Sequence, residues 1–133
     1  MDGEIEHEII KNLKAGRFVL IDGVACKIVD METSSPGKHG TAKVRLTGIG
    51  VFDGQKKTLL KPGDADVEVP IVKKKRGQIV SVNGKNAQIM DSESYEVYEL
   101  PIPDEMANKL NPGAIVEVME IMERRMLSRT IGE

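Results

Sequence analysis

Two apolar runs meet at a turn in Phe18-Val19-Leu20-Ile21-Asp22-Gly23-Val24-Ala25-Cys26-Lys27-Ile28-Val29. An Asp-Gly pair between alternating apolar residues is a strong signal for a two-residue β-hairpin, because both residues tolerate positive φ. Period-two alternation places Val24, Cys26 and Ile28 on one face of the second strand. The segment therefore predicts a half-buried hairpin in a β-rich fold, with Cys26 as a buried structural thiol rather than a nucleophile.

Strand alternation continues through the first half of the chain. Charged and apolar residues alternate in Lys43-Val44-Arg45-Leu46, and two further short strands are expected over Thr58-Leu59-Leu60 and Asp66-Val67-Glu68-Val69. About five short strands with polar turns are typical of a small barrel. The first dozen residues fit either a frayed helix or an edge strand.

The pattern breaks and restarts around Pro70-Ile71-Val72-Lys73-Lys74-Lys75-Arg76-Gly77, which has the composition of an exposed junction. Beyond it we expect a type I′ turn at Asn83-Gly84 and a short helix over 104–110. The strands expected here cover 78–82, 87–90, 95–100, 115–121 and 123–131. Three strands, a short helix and two strands follow the order of an OB-fold barrel. The prediction is an all-β chain with domains over residues 1–70 and 71–133.

Composition limits the classes of function. A net charge of −2 over 133 residues excludes a generally basic nucleic-acid binder, so any attraction to RNA must be local. A single cysteine excludes an intrachain disulfide and a cysteine zinc cluster. The acidic N-terminus lacks the order of a signal peptide, and no apolar run reaches the roughly 20 residues of a membrane span. We therefore expect a cytoplasmic protein with no membrane partner.

A lysine lies between glycines in Ser34-Ser35-Pro36-Gly37-Lys38-His39-Gly40. The proline and glycines favour a tight reversal that leaves Lys38 pointing outward. The segment does not match a phosphate-binding P-loop, because Glu32 and His39 occupy positions that require glycine and serine or threonine. The polar surroundings do not favour the lowered pKa of a Schiff-base lysine. Lys38 is expected to be reached by a partner or by a modifying enzyme.

The strand that leaves this loop is basic on its polar face. No acidic residue occurs between Glu32 and Asp53, and Lys43 and Arg45 lie two residues apart on one strand face. Such a cluster can contact a phosphate backbone, although basic residues on a solvated strand are also common without that function.

Other candidate sites are weaker. The run Lys73–Arg76 is interpreted as a soluble linker, with a second phosphate contact as the alternative. Tyr95 and Tyr98 would point to opposite faces of a regular strand and so form no base-stacking platform. The only two histidines, His7 and His39, have no carboxylate pattern that predicts a metal site, and no residue has the context of a catalytic nucleophile. We expect no enzyme activity, no metal and no bound cofactor.

Four segments then occur in a specific order and spacing: Cys26-Lys27-Ile28-Val29, Thr33-Ser34, Gly37-Lys38-His39-Gly40 and Ala42-Lys43-Val44. Together they resemble translation initiation factor 5A of the archaeal type, a family related to bacterial elongation factor P. The resemblance is specific in the lysine loop and looser over the remainder of the chain. It implies an SH3-like barrel followed by an OB-fold barrel, in agreement with the strand pattern.

By this resemblance, Lys38 is the lysine to which deoxyhypusine synthase transfers an aminobutyl group from spermidine, with NAD used in that enzyme. Gly37, His39 and Gly40 would support the modification, and its product is deoxyhypusine or hypusine. The family binds the ribosome beside the peptidyl-tRNA and relieves stalling, for example at proline runs. Lys38, Lys43 and Arg45 are then the expected RNA contacts.

Two departures concern the loop. The family often has lysine where Ser35 stands, and eukaryotic members have histidine where Thr41 stands. The first departure weakens the local positive field. It therefore reduces the RNA contact expected of the loop outside Lys38. The alternative to a modified translation factor is a general RNA-binding module that uses unmodified basic residues.

Overall fold

The structure is a computed structural model that describes residues 4–34 and 42–131. These residues form eleven strands and two short 3₁₀ helices, and the chain divides into two compact units, Met1–Ile71 and Val72–Glu133. The all-β prediction is confirmed. In the described part, no helix has the length and apolar character needed to cross a membrane.

The first unit contains two antiparallel sheets. Strands β2, β3, β4 and β5 pair in that order, and β1 pairs with β6. Their bounds are β1 Ile5–Ile9, β2 Phe18–Ile21, β3 Val24–Ser34, β4 Lys43–Gly50, β5 Lys56–Pro62 and β6 Asp66–Pro70. The first dozen residues, whose structure the sequence left open, include an edge strand followed by a 3₁₀ turn at Ile10–Asn12.

The β2–β3 hairpin forms as its sequence predicts. Asp22 and Gly23 are the turn residues, with φ of 52° and 78°, and Ile21 pairs with Val24. Cys26 and Ile28 are buried, and burial raises the pKa of the Cys26 thiol, which fits a structural role. The remaining members of this core are aliphatic: Ile10, Leu13, Val19, Ile21, Val44, Leu46, Val67 and Val69.

The second unit is a five-stranded antiparallel sheet in the order β11-β10-β7-β8-β9. The strands are β7 Lys73–Asn83, β8 Asn86–Asp91, β9 Val97–Pro101, β10 Ile115–Ile121 and β11 Arg124–Thr130. Its core is built mainly from aliphatic residues: Ile79, Ala87, Ile89, Leu100, Met106, Leu110, Val116, Val118 and Leu127. Three strands, a helical turn and two strands confirm the predicted OB-fold order.

The helix of this unit is shorter than predicted. Instead of a helix over 104–110, one 3₁₀ turn covers Asp104–Met106. Ala107 has extended ψ of 136° and Asn108 has φ of 66°, so the chain leaves helical geometry at once. The acidic residues Asp104 and Glu105 do lie in its first turn, as predicted, but three residues are too few to form an α-helix.

Two further predictions in this unit are wrong in detail. The β7–β8 turn consists of Gly84 and Lys85, one residue later than the predicted Asn83-Gly84, and only Gly84 has positive φ. Tyr95 is not the first residue of β9. It adopts φ of 63° in a turn where the Asp91 carboxylate accepts hydrogen bonds from the Glu93 and Ser94 amides. These bonds lower the pKa of Asp91 and hold the β8–β9 turn in place.

Candidate nucleic-acid interface

The lysine loop connects two neighbouring strands. Ser34 at the end of β3 pairs with Lys43 at the start of β4, and the Ser34 hydroxyl donates a hydrogen bond to the Lys43 carbonyl at 3.3 Å. The predictions for Gly37, Lys38, His39 and Gly40 concern positions that lie outside the described residues.

Lys43 and Arg45 are exposed on the same face of β4. They alternate with Val44 and Leu46, which are buried in the core of the first unit. The period-two pattern of the sequence accounts for this arrangement. The strand therefore presents two cations to solvent beside the end of the hairpin, as the sequence indicates. Their role in RNA binding remains a prediction.

The face around these cations also contains an acid and an apolar side chain. Arg45 lies between Glu32 on β3 and Leu60 on β5, and Leu60 is 59% exposed. A shallow depression of about 330 Å³ is lined by Glu32, Thr33, Ser34, Lys43, Arg45 and Leu60. Glu32 offsets part of the positive charge of Lys43 and Arg45. The sequence did not indicate this, because Glu32 comes just before the stretch without acidic residues and meets Arg45 only through strand pairing.

The basic run Lys73–Arg76 is not a linker. It is the first half of β7 and pairs with β10, with Arg76 opposite Glu117 and Lys73 opposite Glu120. Alternation sends Lys74 and Arg76 to one face of the sheet and Lys73 and Lys75 to the other. The Lys75 ammonium lies 3.5 Å from the Glu120 carboxylate. Two acidic residues on the neighbouring strand thus favour pairing of a segment whose composition alone indicated a junction.

Glu117 is a buried, ionised residue that the sequence did not single out. A bulge between β10 and β11 brings both Ser128 and Arg129 to it: the Ser128 hydroxyl donates at 3.0 Å and the Arg129 guanidinium at 3.4 Å. Burial by itself would raise the pKa of Glu117. The hydrogen bonds, with the charges of Arg129 and Lys74, outweigh burial and hold this pKa below its ordinary value.

A second ionic cluster lies on the other face of the same strands. The Arg125 guanidinium donates to Glu120 at 3.0 Å and to Glu96 at 3.1 Å, and it lies 4.2 Å above the Tyr98 ring. Arg125 belongs to β11 and Tyr98 to β9, so these contacts join the two edge strands of the sheet. Tyr98 is thereby engaged with a cation, which leaves it unsuited to stacking on a nucleic-acid base.

One feature of the sequence could have indicated that Glu117 and Glu120 have basic partners. Glu117 and Glu120 occur in the strand pattern of 115–121, and an alternating strand with carboxylates requires basic neighbours when it is mostly buried. Such pairing depends on the register of β10 with β7, about forty residues away, and on the turn and bulge that join β10 to β11, and the local pattern gives none of these. No group of histidine, cysteine and carboxylate side chains with metal-site geometry occurs among the described residues.

The chain is similar to known proteins in both sequence and structure. The family model described as translation initiation factor 5A-like, N-terminal, matches residues 8–65. Translation initiation factor 5A of Methanothermobacter thermautotrophicus is 47% identical over 123 residues, which cover 92% of this chain and 95% of that relative. The protein of the same name from Methanopyrus kandleri is 46% identical over 129 residues, or 96% of this chain and 95% of the relative.

Two solved structures extend the similarity to the whole fold. The eukaryotic translation initiation factor 5A from Methanococcus jannaschii matches with a TM-score of 0.90 at 42% identity, over 98% of both chains. A translation initiation factor 5A family protein from Naegleria fowleri matches with a TM-score of 0.71 at 28% identity, over 95% of this chain and 97% of the other. The SH3-like barrel followed by an OB-fold barrel is thus the fold of this chain.

Proposed function

The chain belongs to the translation initiation factor 5A family, and on this premise we propose that it acts on the ribosome beside the peptidyl-tRNA through a modified Lys38. As a family member it is a translation factor. One observation supports the finer proposal most: β3 and β4 pair up to Ser34 and Lys43, so residues 35–41 emerge from the end of a hairpin whose exposed face bears Lys43 and Arg45.

The proposed modification lengthens one side chain. Deoxyhypusine synthase would transfer the aminobutyl group of spermidine to the Nζ of Lys38, so that one C–N bond of spermidine breaks and a new one forms at Nζ. Diaminopropane leaves, and the exchange of one amine for another involves no net oxidation. The product carries two basic nitrogens where lysine has one, and it extends further from the backbone. Whether a hydroxyl group follows is a separate question from this transfer.

The lengthened side chain would contribute position and charge to the ribosome. Amines donate charge-assisted hydrogen bonds to phosphate oxygens, and such contacts fix the register of a protein on a nucleic acid without reading its sequence. Contacts of this kind near the acceptor end of a peptidyl-tRNA would hold its ester in a reactive geometry. That lowers the entropic part of the barrier to peptide-bond formation, while the ribosome performs the reaction. The protein itself needs no catalytic residue in this account.

The alternative is a general RNA-binding module that uses unmodified basic residues. In that case charge substitutions at Lys43, at Arg45 and in the run Lys73–Arg76 would reduce function more than a substitution of Lys38. Glu32 beside Arg45 weakens this alternative, since the face carries an acid among its cations. Modified Lys38 is the better explanation because it concentrates the function in a single extended group.

A conservative substitution separates charge from modification. Lys38→Arg keeps a positive charge but removes the amine that accepts the aminobutyl group, so the variant should fold normally and lose relief of stalling. We expect a polyproline reporter, translated with factor isolated from its native host, to show at most a few per cent of the wild-type stimulation. Lys27→Arg, at an exposed position on β3, is the matched control and should retain full activity. Full stimulation by Lys38→Arg would refute the proposal.

A further inference from the structure

We propose that the second unit has its own RNA-binding surface, the outward face of β7, β10 and β11 that carries Lys74, Arg76 and Arg129. Its ligand is the phosphate backbone of RNA, and it does not depend on modification of Lys38. We call this surface the β10 face.

The register of the strands brings these cations together. Arg76 on β7 and Arg129 on β11 both lie directly opposite Glu117 on β10, so all three side chains share one face of the sheet. Lys74 is two residues before Arg76 and therefore joins them, and its charge acts on Glu117. The two basic residues on β7 are roughly 6.6 Å apart along the strand, which is close to the separation of consecutive phosphates in a nucleic-acid strand.

Charge pairing leaves the two β7 cations of this face available. Arg129 forms an ion pair with Glu117, whereas Lys75 and Arg125 form ion pairs with Glu120 on the opposite face. Within the described residues, neither Lys74 nor Arg76 makes an ion pair or a side-chain hydrogen bond, and both are exposed. On the β10 face, Lys74, Arg76 and Arg129 thus surround the single carboxylate of Glu117, and the side chain of Arg129 is still 67% exposed. Two exposed cations that make no hydrogen bond or ion pair within the described residues provide charge complementarity to phosphates.

The chemistry of the β10 face favours phosphates over bases. A guanidinium group binds phosphate through two parallel hydrogen bonds, and an ammonium group adds a point charge. None of the three side chains is aromatic, so the surface has no stacking platform for bases. It would contribute affinity and orientation, with little preference for sequence.

The face that OB folds ordinarily use for oligonucleotides is less suitable in this chain. That face lies on the second and third strands of the barrel, here β8 and β9. Its exposed side chains include Gln88, Glu99 and Val97, none of which is basic. Tyr98, the aromatic residue of β9, is covered by Arg125. Lys74, Arg76 and Arg129 lie instead on the β10 face.

Neutral substitutions test this proposal best. Lys74→Gln combined with Arg76→Gln removes two positive charges but keeps the side-chain stems, whereas an acidic residue at position 76 would lie opposite the Glu117 carboxylate and disturb folding. The control is Lys85→Gln with Lys109→Gln, which removes the same charge from exposed positions of the second unit, one at the far end of β7 and the other beyond β9. Both double variants should show wild-type thermal unfolding.

The measurement is binding of unmodified full-length protein to an RNA duplex of about 16 base pairs, followed by fluorescence anisotropy from about 50 to 200 mM KCl. For the β7 variant we expect affinity to fall about tenfold or more at the low-salt end and the salt slope to decrease by about 2. The control variant should retain both the affinity and the slope of the wild type.

Two results would overturn the proposal: a wild type without salt-dependent RNA binding, or equal effects of the β7 and control substitutions. Either result would mean that the β10 face is not a binding surface for RNA. Because the protein carries no modification in this experiment, failure here leaves the proposal for Lys38 unaffected. The polyproline assay of Lys38→Arg does not measure RNA binding by the β10 face, so its result does not bear on the proposal for that face.

Discussion

At the scale of single residues, the two buried carboxylates of the second unit show how polar groups are accommodated in a mostly aliphatic barrel. Asp91 and Glu117 are the buried charged residues of the described part, 7% and 8% exposed. Asp91 accepts hydrogen bonds from backbone amides, whereas Glu117 depends on Ser128 and Arg129. Both remain charged because several donors replace the lost water.

The lowered pKa of Glu117 makes stability depend on pH. Its folded-state pKa lies below the ordinary value of 4.5, so its contribution is fully present above about pH 4.5 and disappears as pH falls through the folded-state pKa. Glu117→Gln should reduce the free energy of unfolding by about 1 to 2 kcal/mol at pH 7 and should flatten the loss of stability in acid. Urea unfolding at a series of pH values measures both effects.

The control for this prediction is Glu99→Gln, at an exposed position on β9, which should change stability by less than about 0.5 kcal/mol. If Glu117→Gln leaves both the stability at neutral pH and the acid limb unchanged, the hydrogen-bonded carboxylate contributes nothing to folding.

At the scale of elements, β7 shows why local composition can mislead. Its first half has the composition of a junction and its second half has the pattern of a strand. The whole segment nevertheless forms one strand, because Glu117 and Glu120 of β10 lie opposite its basic residues. Strand pairing is a property of two segments, and composition reports only one. The β10–β11 hairpin gives the same lesson: Met122 and Glu123 form its turn at φ of 51° and 66°, with no glycine or asparagine to signal it.

Gly77 allows β7 to pack closely against the neighbouring strand β8. A Cβ atom there would lie 2.6 Å from the Ile89 Cγ2 and 3.2 Å from the Met90 carbonyl oxygen, which are closer than normal contacts. Gly77→Ala should therefore lower the free energy of unfolding by about 1 to 3 kcal/mol, as measured by urea denaturation.

Gly63→Ala provides a matched comparison in the first unit. Its nearest neighbour to a new Cβ would be the Ala42 carbonyl oxygen at 3.4 Å, and its φ is not positive. This substitution should be neutral, or stabilising by up to about 1 kcal/mol, because alanine restricts the unfolded chain. Equal effects of the two substitutions would show that close packing at Gly77 is unimportant.

At the scale of the whole molecule, the sequence was most informative where periodicity and turn chemistry agree. The Asp22-Gly23 hairpin, the buried Cys26 and the strand over 115–121 could be predicted because each depends on neighbours within a few residues. The pairing of β7 with β10 could not, since register between distant segments decides it. The ion pairs of Glu117 with Arg129 and of Glu120 with Arg125 depend on the turn and the bulge between β10 and β11, which no glycine or asparagine signals. The lysine loop was identified by its residue pattern and by resemblance, and Lys43 and Arg45 followed from alternation.

Intact-mass spectrometry of the protein purified from its native host measures the chemical state of Lys38. We expect a mass above that of the unmodified chain by one aminobutyl group, or by that group and one oxygen, with fragment ions that place the addition on Lys38. A native protein whose Lys38 carries no addition would contradict this expectation.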